Sequence, residues 1–239
     1  MRIFVPSYGR HDCATTIELI PESLIVVPES QASDYIKNWG ERVVVVADEK
    51  DGSPTKKKNA ILDLMDQGEL AWIIDDDLIN VKNIQTNRLL KSEEILETLE
   101  NHWNVMQEMG AGFGGFNTTD DFIRCEEFRP FSLYKISYSC FCVRKTHIKH
   151  DERLKRVDDI DFFLQVVHQG ILPFRDNRYF FKFHWNDEKK KEQITQKGGI
   201  DGGHEQHTES TEILIKKWGD CVRMKNGRVT GVKVPIKAC

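Results

Sequence analysis

Short apolar runs separated by amphipathic stretches dominate the first half of the chain. Arg2–Val5, Leu24–Val27, Val43–Val46 and Ala71–Ile74 each have the length and β-branched content of a buried strand. Pro28 stops the second run, and the third is wholly apolar, as a strand covered on both faces should be. The stretches between them carry helix signals. Thr15–Ile20 is closed by Pro21, and Ser33–Trp39 is followed by Gly40. Ser53 and Pro54 are suited to the cap and first position of a helix with an apolar stripe of Ala60, Ile61, Leu64 and Met65, ended by Gly68. Strands alternating with helices predict an α/β fold with a mostly parallel sheet flanked by helices.

The second half is less regular. Ser92–Met109 is the clearest helix, with Ser92 as its expected cap, Glu93 and Glu94 in its first turn, and Ile95, Leu99, Trp103 and Met106 on one face. Strands are expected over 112–117, within 131–143 and over 179–183, and a helix from Arg156 to Gly170. Residues 187–206 turn lysine-rich and then glycine-rich, a composition suited to a mobile flap. A last helix is expected over Thr211–Trp218, and Asn226-Gly227 marks a hairpin. With no repeat and no linker, the chain divides into one domain over 1–208 and a small C-terminal extension over 209–239.

Composition narrows the class. Of 239 residues, 39% are hydrophobic and 30% charged, which describes a polar-surfaced globular protein with a substantial core. No apolar run approaches the ~20 residues of a membrane span. The chain opens directly on a strand, so a signal peptide is not expected and the cytoplasm is the expected location. Six scattered cysteines fit reduced thiols better than a disulfide framework; Cys140-Phe141-Cys142 lacks the second pair a zinc site needs. The net charge of −4 argues against a general nucleic-acid binder. Two basic stretches, 144–156 and 215–239, nevertheless offer local positive charge to a phosphate backbone.

Candidate chemistry sits at the end of the fourth strand, in Trp72-Ile73-Ile74-Asp75-Asp76-Asp77. Open α/β sheets bind ligands at strand ends, and adjacent anions repel unless a cation joins them. Asp75 and Asp77, two apart, would share a side in strand geometry and hold a divalent cation beside diphosphate oxygens; a solvated acidic turn is the other reading. One element earlier, Lys56, Lys57 and Lys58 crowd a helix N-terminus, where the macrodipole disfavours cations. They form either a solvated face or a phosphate site.

Taken in order, these motifs resemble nucleotide-sugar glycosyltransferases of the GT-A fold. Lys57-Lys58-Asn59 is similar to the basic-basic-Asn run opening their helix before the metal strand, and Asp75-Asp76-Asp77 to their Asp-x-Asp motif. Asp158-Asp159-Ile160-Asp161 with Gly170 resembles their Glu-Asp helix, with Asp158 in place of Glu. Ile3-Phe4-Val5-Pro6-Ser7-Tyr8-Gly9-Arg10 narrows the resemblance to the TET-associated glycosyltransferases of bacteriophages. That family implies transfer of an arabinose- or glucose-type sugar from a UDP-sugar, with Mn²⁺ or Mg²⁺, to hydroxymethylated pyrimidines in DNA. A glycan, lipid or protein acceptor, or a non-catalytic DNA-binding role, is the alternative.

The resemblance implies metal binding by Asp75 and Asp77 with His184 or His204. It implies donor contacts from Pro6, Tyr8, Arg10, Asp48, Lys57, Lys58, Asn59 and Asp76, and a base in Asp159 or its competitor Asp161. Contact with acceptor DNA would fall to Arg144, Lys145, Lys149, Arg153, Lys155 and Arg156.

Overall fold

The computed structural model describes residues 1–118, 129–184, 204–225 and 228–234. The four expected strands form one parallel half-sheet. β1 (Ile3–Pro6) lies between β2 (Leu24–Pro28) and β4 (Leu70–Ile74), and β3 (Val43–Val46) adds to β2. Helices α1 (Thr15–Leu19), α2 (Ala32–Trp39) and α3 (Pro54–Leu64) make the connections. Ser53 caps α3 as expected, its hydroxyl accepting the Lys56 amide at 3.2 Å with Pro54 in the first turn.

Beyond β4 the sheet becomes mixed. Its order is β3-β2-β1-β4-β9-β7-β10-β5-β6, with β8 paired to β10. The added strands are β5 (Leu78–Asn83), β6 (Arg88–Leu89), β7 (Phe113–Asn117), β8 (Phe131–Leu133), β9 (Cys140–Arg144) and β10 (Pro173–Phe183). Antiparallel β9 separates β4 from β7, whereas β7 and β10 run parallel. β5 was not expected, because Leu78–Asn83 follows the acids with no clean alternation.

Side-chain parity along β4 builds both faces. Ala71 and Ile73 enter a core with Ala60 and Ile61 of α3 and with Ile160 and Phe163 of α5 (Asp158–His168). Leu70, Trp72 and Ile74 enter the opposite core with Ile95, Leu99 and Met106 of α4 (Ser92–Met109). Ser92 is the first helical residue of α4; its flanking amide, Lys91, is taken by Glu94 at 2.9 Å.

The C-terminal helix α6 spans His204–Trp218, so the expected boundary at 208 falls inside it, and the last residues assigned to a flap begin this helix. The rest of that flap, with Asn226-Gly227, lies outside the described residues. The strands flanking the turn, β11 (Val222–Lys225) and β12 (Arg228–Val232), pair antiparallel. Leu214 and Val222 join the core of α3 and α5, so the extension is continuous with the main body. Among the described residues, Cys140, Cys142 and Cys221 are free thiols.

Two glycines on β7 permit its close packing. A Cβ on Gly115 would lie 2.4 Å from the Cys140 carbonyl oxygen, and one on Gly114 would lie 2.3 Å from that of Phe174. Both obstacles are backbone atoms of neighbouring strands. Gly115→Ala is therefore expected to cost about 1–3 kcal/mol, the usual penalty for overpacking, read as a lowered denaturation midpoint with an unchanged slope.

Candidate active site

The end of β4 distributes its three acids by the same parity. Asp75 continues the Ala71–Ile73 side, toward α3 and α5, while Asp76 turns the other way and is buried. Ser7 Oγ donates to Asp76 Oδ2, and Arg10 Nη1 pairs with Asp76 Oδ1. Asp76 thus ties the loop after β1 to the end of β4, a structural task in place of the expected donor contact. Arg10 is engaged in the same tie and also lies in the field of Asp77 and Asp75. Thr16 fixes the acidic turn. Its hydroxyl donates to the Asp75 carbonyl at 2.6 Å and accepts the Leu78 amide at 2.9 Å.

Asp75 is half-buried, and its amide donates to the Ser139 carbonyl at 2.8 Å. Ser139 has φ 46°, an unusual backbone setting for a residue other than glycine, directly opposite an acid. Burial raises the Asp75 pKa, with Asp76 and Asp158 acting the same way and Lys58 opposing. Burial, then Asp75 and Asp76, push the carboxyl of Asp77 up to about 7.

The two lysines of α3 have different jobs. Lys57 is buried, pairs with Asp51 at 2.7 Å, donates to the Ser7 carbonyl, and lies 5.4 Å from the Tyr8 ring. It organises the loop after β1. Lys58 Nζ is 2.9 Å from Asp158 Oδ2 at the start of α5. Burial opposes its charge, but Asp158, then Asp75 and Asp159, outweigh that and raise its pKa. One ammonium therefore joins the acids of β4 to those of α5. Asn59 is a strut between α3 and the 150 loop: its amide donates to the His150 carbonyl at 3.0 Å and accepts the His150 amide at 2.8 Å. That consumes the group expected to meet the donor.

On α5 the acids separate sharply. Asp158 is buried against Lys58 and His150 Nδ1, the latter at 3.2 Å. Burial disfavours its charge, but Lys58 and the His150 hydrogen bond hold its pKa well below the usual carboxylate range. Asp159 is half-buried and shifts the other way, raised by burial and by Asp158. Asp161, the expected competitor, is fully buried and engaged elsewhere. Lys217 at 2.8 Å and Trp218 Nε1 at 2.7 Å reach one carboxylate oxygen, and Gln165 at 2.7 Å reaches the other. It clamps α6 to α5, whereas the sequence offered it as the competing base. Val157, just before Asp158, has φ 55°, a costly setting for a β-branched residue.

Around this centre, Pro6 ends β1 and Tyr8 is 49% exposed beside it. Asp48 accepts the Ser30 amide at 3.0 Å and its hydroxyl at 2.9 Å, beyond the ends of β2 and β3. The His184 amide donates to the Asp77 carbonyl at 3.0 Å, so β10 returns to the acidic turn. His204 opens α6. Among the described residues, no cluster of three or more His, Cys, Asp or Glu forms a metal site.

The expected DNA-contacting residues disperse. β9 starts at Cys140 opposite Ile74 and ends at Arg144 opposite Leu70, which places Arg144 at the far end of β4 from the acids, about 16 Å from Asp75 at ~3.3 Å per residue. Arg144 there binds Gln107 at 2.8 Å and the Gly68 carbonyl at 3.1 Å. Lys145 and Lys149 gather around Asp63 of α3, and Arg153 pairs with Asp151 at 2.6 Å. Lys155 and Arg156 stay at the start of α5, their amides donating to Ser210 Oγ at 3.2 Å each.

Sequence reasoning missed Ser7, Thr16, Ser139 and His150. Ser7 lies inside a quoted motif without having been singled out, the other three carry none, and each matters through a partner distant in the chain.

The family model for the TET-associated glycosyltransferases matches residues 1–199. The chain belongs to this family. The TET-associated glycosyltransferase shares its fold with residues 1–349 of S. aureus TarS, at 14% identity and a TM-score of 0.52, over 91% of this chain and 72% of the other. That likeness bears out the GT-A expectation for the fold. A CMP:2-keto-3-deoxy-manno-octonic acid synthetase complexed with CTP matches at 7% identity and a TM-score of 0.47, over 82% of this chain and 98% of the other. No curated protein matches the chain. No helix among the described residues is long and apolar enough to cross a membrane.

The contrast between Asp159 and Asp161 is testable in this glycosyltransferase. Asp159→Asn is expected to lower the transfer rate by about 10²–10⁴-fold, the usual contribution of a general base, with the melting temperature held. Trp218→Phe removes a donor from buried Asp161 and is expected to cost about 1–3 kcal/mol of stability. Because Asp159 must be ionised to accept a proton, its raised pKa places the acid limb of the rate profile above the ordinary carboxylate range. Activity falls as pH falls through that value. Lys58→Gln removes the opposing cation and should move the limb to still higher pH, read from a kcat profile.

Proposed function

We propose that this glycosyltransferase moves an arabinose- or glucose-type sugar from a UDP-sugar to the hydroxyl of a 5-hydroxymethylpyrimidine in DNA, with Mn²⁺ or Mg²⁺ on the diphosphate. The observation that carries the reading is Lys58: through it, the strand-end acids and the α5 acids belong to one centre. The donor would lie over the ends of β1 to β4, bordered by Tyr8 and Asp48. The hydroxyl would approach from the side of Asp159.

The acids fit a divalent cation. Asp75 and Asp77 are both raised by burial and by like charge, a tension that a metal between them relieves. Asp75 and Asp77 would hold the cation, with diphosphate oxygens available to complete its coordination. When bound, the cation supplies charge stabilisation to the departing diphosphate. Asp159 takes the proton of the acceptor hydroxyl as its oxygen bonds to the anomeric carbon. The anomeric C–O bond to the diphosphate breaks, with its electron pair going to the phosphate oxygen. Asp158, kept ionised, holds Lys58 in place beside this base.

With Arg144 at the far end of β4, phosphate contact near the reacting groups rests on Lys155, Arg156 and the basic C-terminal stretch. Incubating hydroxymethylcytosine DNA with a panel of UDP-sugars and Mn²⁺, followed by nucleoside mass spectrometry, tests the reading. A hexose or pentose adduct is expected, lost in Asp77→Asn. A panel yielding no adduct, with transfer to a free glycan instead, would replace the DNA acceptor. Removing the metal with a chelator should abolish transfer, and adding Mn²⁺ back should restore it.

A further inference from the structure

Among the described residues, the exposed aromatic side chains are Tyr8 at 49%, Phe131 at 46%, Tyr134 at 37% and Tyr138 at 36%. Tyr8 stands at the donor end. The other three fall in one short stretch, Phe131–Tyr138, together with exposed Leu133. Exposed apolar residues scattered singly are ordinary, but such a concentration marks a surface that meets something.

The backbone turns Phe131 and Leu133 outward. On β8, Ser132 turns inward to accept Asn177 Nδ2 at 2.6 Å, which leaves Phe131 and Leu133 facing out. Tyr134 follows with φ 56°, redirecting the chain. Tyr138 immediately precedes Ser139, whose carbonyl accepts the Asp75 amide, and its phenol lies in the field of Asp159 and Arg175. The stretch therefore begins on β8, whose pairing is with β10, and ends at the reacting groups.

Charge follows the same line. Exposed Arg129 and Lys135 interleave with the rings, and no acid occurs from 129 to 138. The Arg178 guanidinium, paired with Asp176 at 2.6 Å, sits 4.8 Å from the centre of the Phe131 ring and 5.6 Å from that of Tyr179. Rings interleaved with cations suit a strand whose base faces are open to stacking. An intact duplex presents phosphates and groove edges instead, for which cations and amides suffice.

We propose that residues 129–138 form the acceptor surface and engage the DNA strand with its bases unstacked, delivering the target nucleotide to Asp159 from a single-stranded or locally opened stretch. This rests on the DNA reading above and specifies the form of the acceptor. The test uses the full chain and one fluorescent hydroxymethylcytosine oligonucleotide, presented single-stranded or annealed to its complement. Binding is followed by anisotropy and transfer by nucleoside mass spectrometry.

The single strand is expected to show at least about tenfold higher kcat/KM than the duplex. Phe131→Leu and Tyr134→Leu should each weaken single-strand binding by about tenfold, whereas Tyr134→Phe, which keeps the ring, should bind like the parent. Equal kcat/KM on the two forms, or leucine variants of unchanged melting temperature that bind the single strand as tightly as the parent, would overturn the proposal. If no DNA gains a sugar but the leucine variants still lose single-strand binding, the surface stands and the transfer reading falls. If the parent neither binds nor modifies the oligonucleotide, both fall.

Discussion

The site depends on one ammonium placed among carboxylates. Two like charges about 4 Å apart repel by roughly 4 kcal/mol at the effective dielectric of a partly buried site, so the acids of β4 and α5 cannot crowd together without a cation. Lys58 supplies it from just past the first turn of α3, where what remains of the helix dipole's effect disfavours positive charge. Asp158, Asp75 and Asp159 overcome that disfavour and the cost of burial, and the lysine stays charged. The same contact divides the acids of α5. Asp158 takes the direct pairing and stays ionised, while Asp159, left beside an anion, is raised. Two neighbouring carboxyls pushed in opposite directions are the arrangement acid–base chemistry requires.

Strand parity decides which acid receives which task. Because Ala71 and Ile73 face α3 and α5, Asp75 continues toward Lys58, and Asp76 is directed into Ser7 and Arg10. A one-residue slip of β4 would exchange them and leave Lys58 without its strand partner. The antiparallel return of β9 has a parallel consequence. Its start brings Ser139 to Asp75, and its end carries Arg144 away, so a basic run close in sequence to the α5 acids is divided in space.

The fold was legible where the determinants are local. Val43–Val46, Ser53-Pro54 at α3 and the apolar run into Asp75 are each set by a few neighbouring residues. The β4 and α5 acids were picked out in the sequence as motifs, although acids opening a helix also serve its dipole. What escaped was the division of labour. Ser7 meets Asp76 across 69 positions, and Asn59 meets the His150 carbonyl across 91. Nothing in the local pattern separates a lysine that pairs with Asp51 from its neighbour that pairs with Asp158. Composition also misled at α6, where a helix start follows directly on a glycine-rich stretch.

The C-terminal helix lies beyond the matched residues 1–199, yet it holds the chain around Asp158 and Asp159. Val157 sits in a left-handed conformation, a strain of order 1–3 kcal/mol, immediately before Asp158. Such a turn persists only if both sides are tied down. Ser210 of α6 takes the amides of Lys155 and Arg156 on one side, and Lys217 and Trp218 grip Asp161 on the other. The contacts bracket Asp158 and Asp159 without touching either. A carboxylate raised by its neighbour works as a base only while the chain prevents the pair from drifting apart, and α6 supplies that restraint from both ends of the turn.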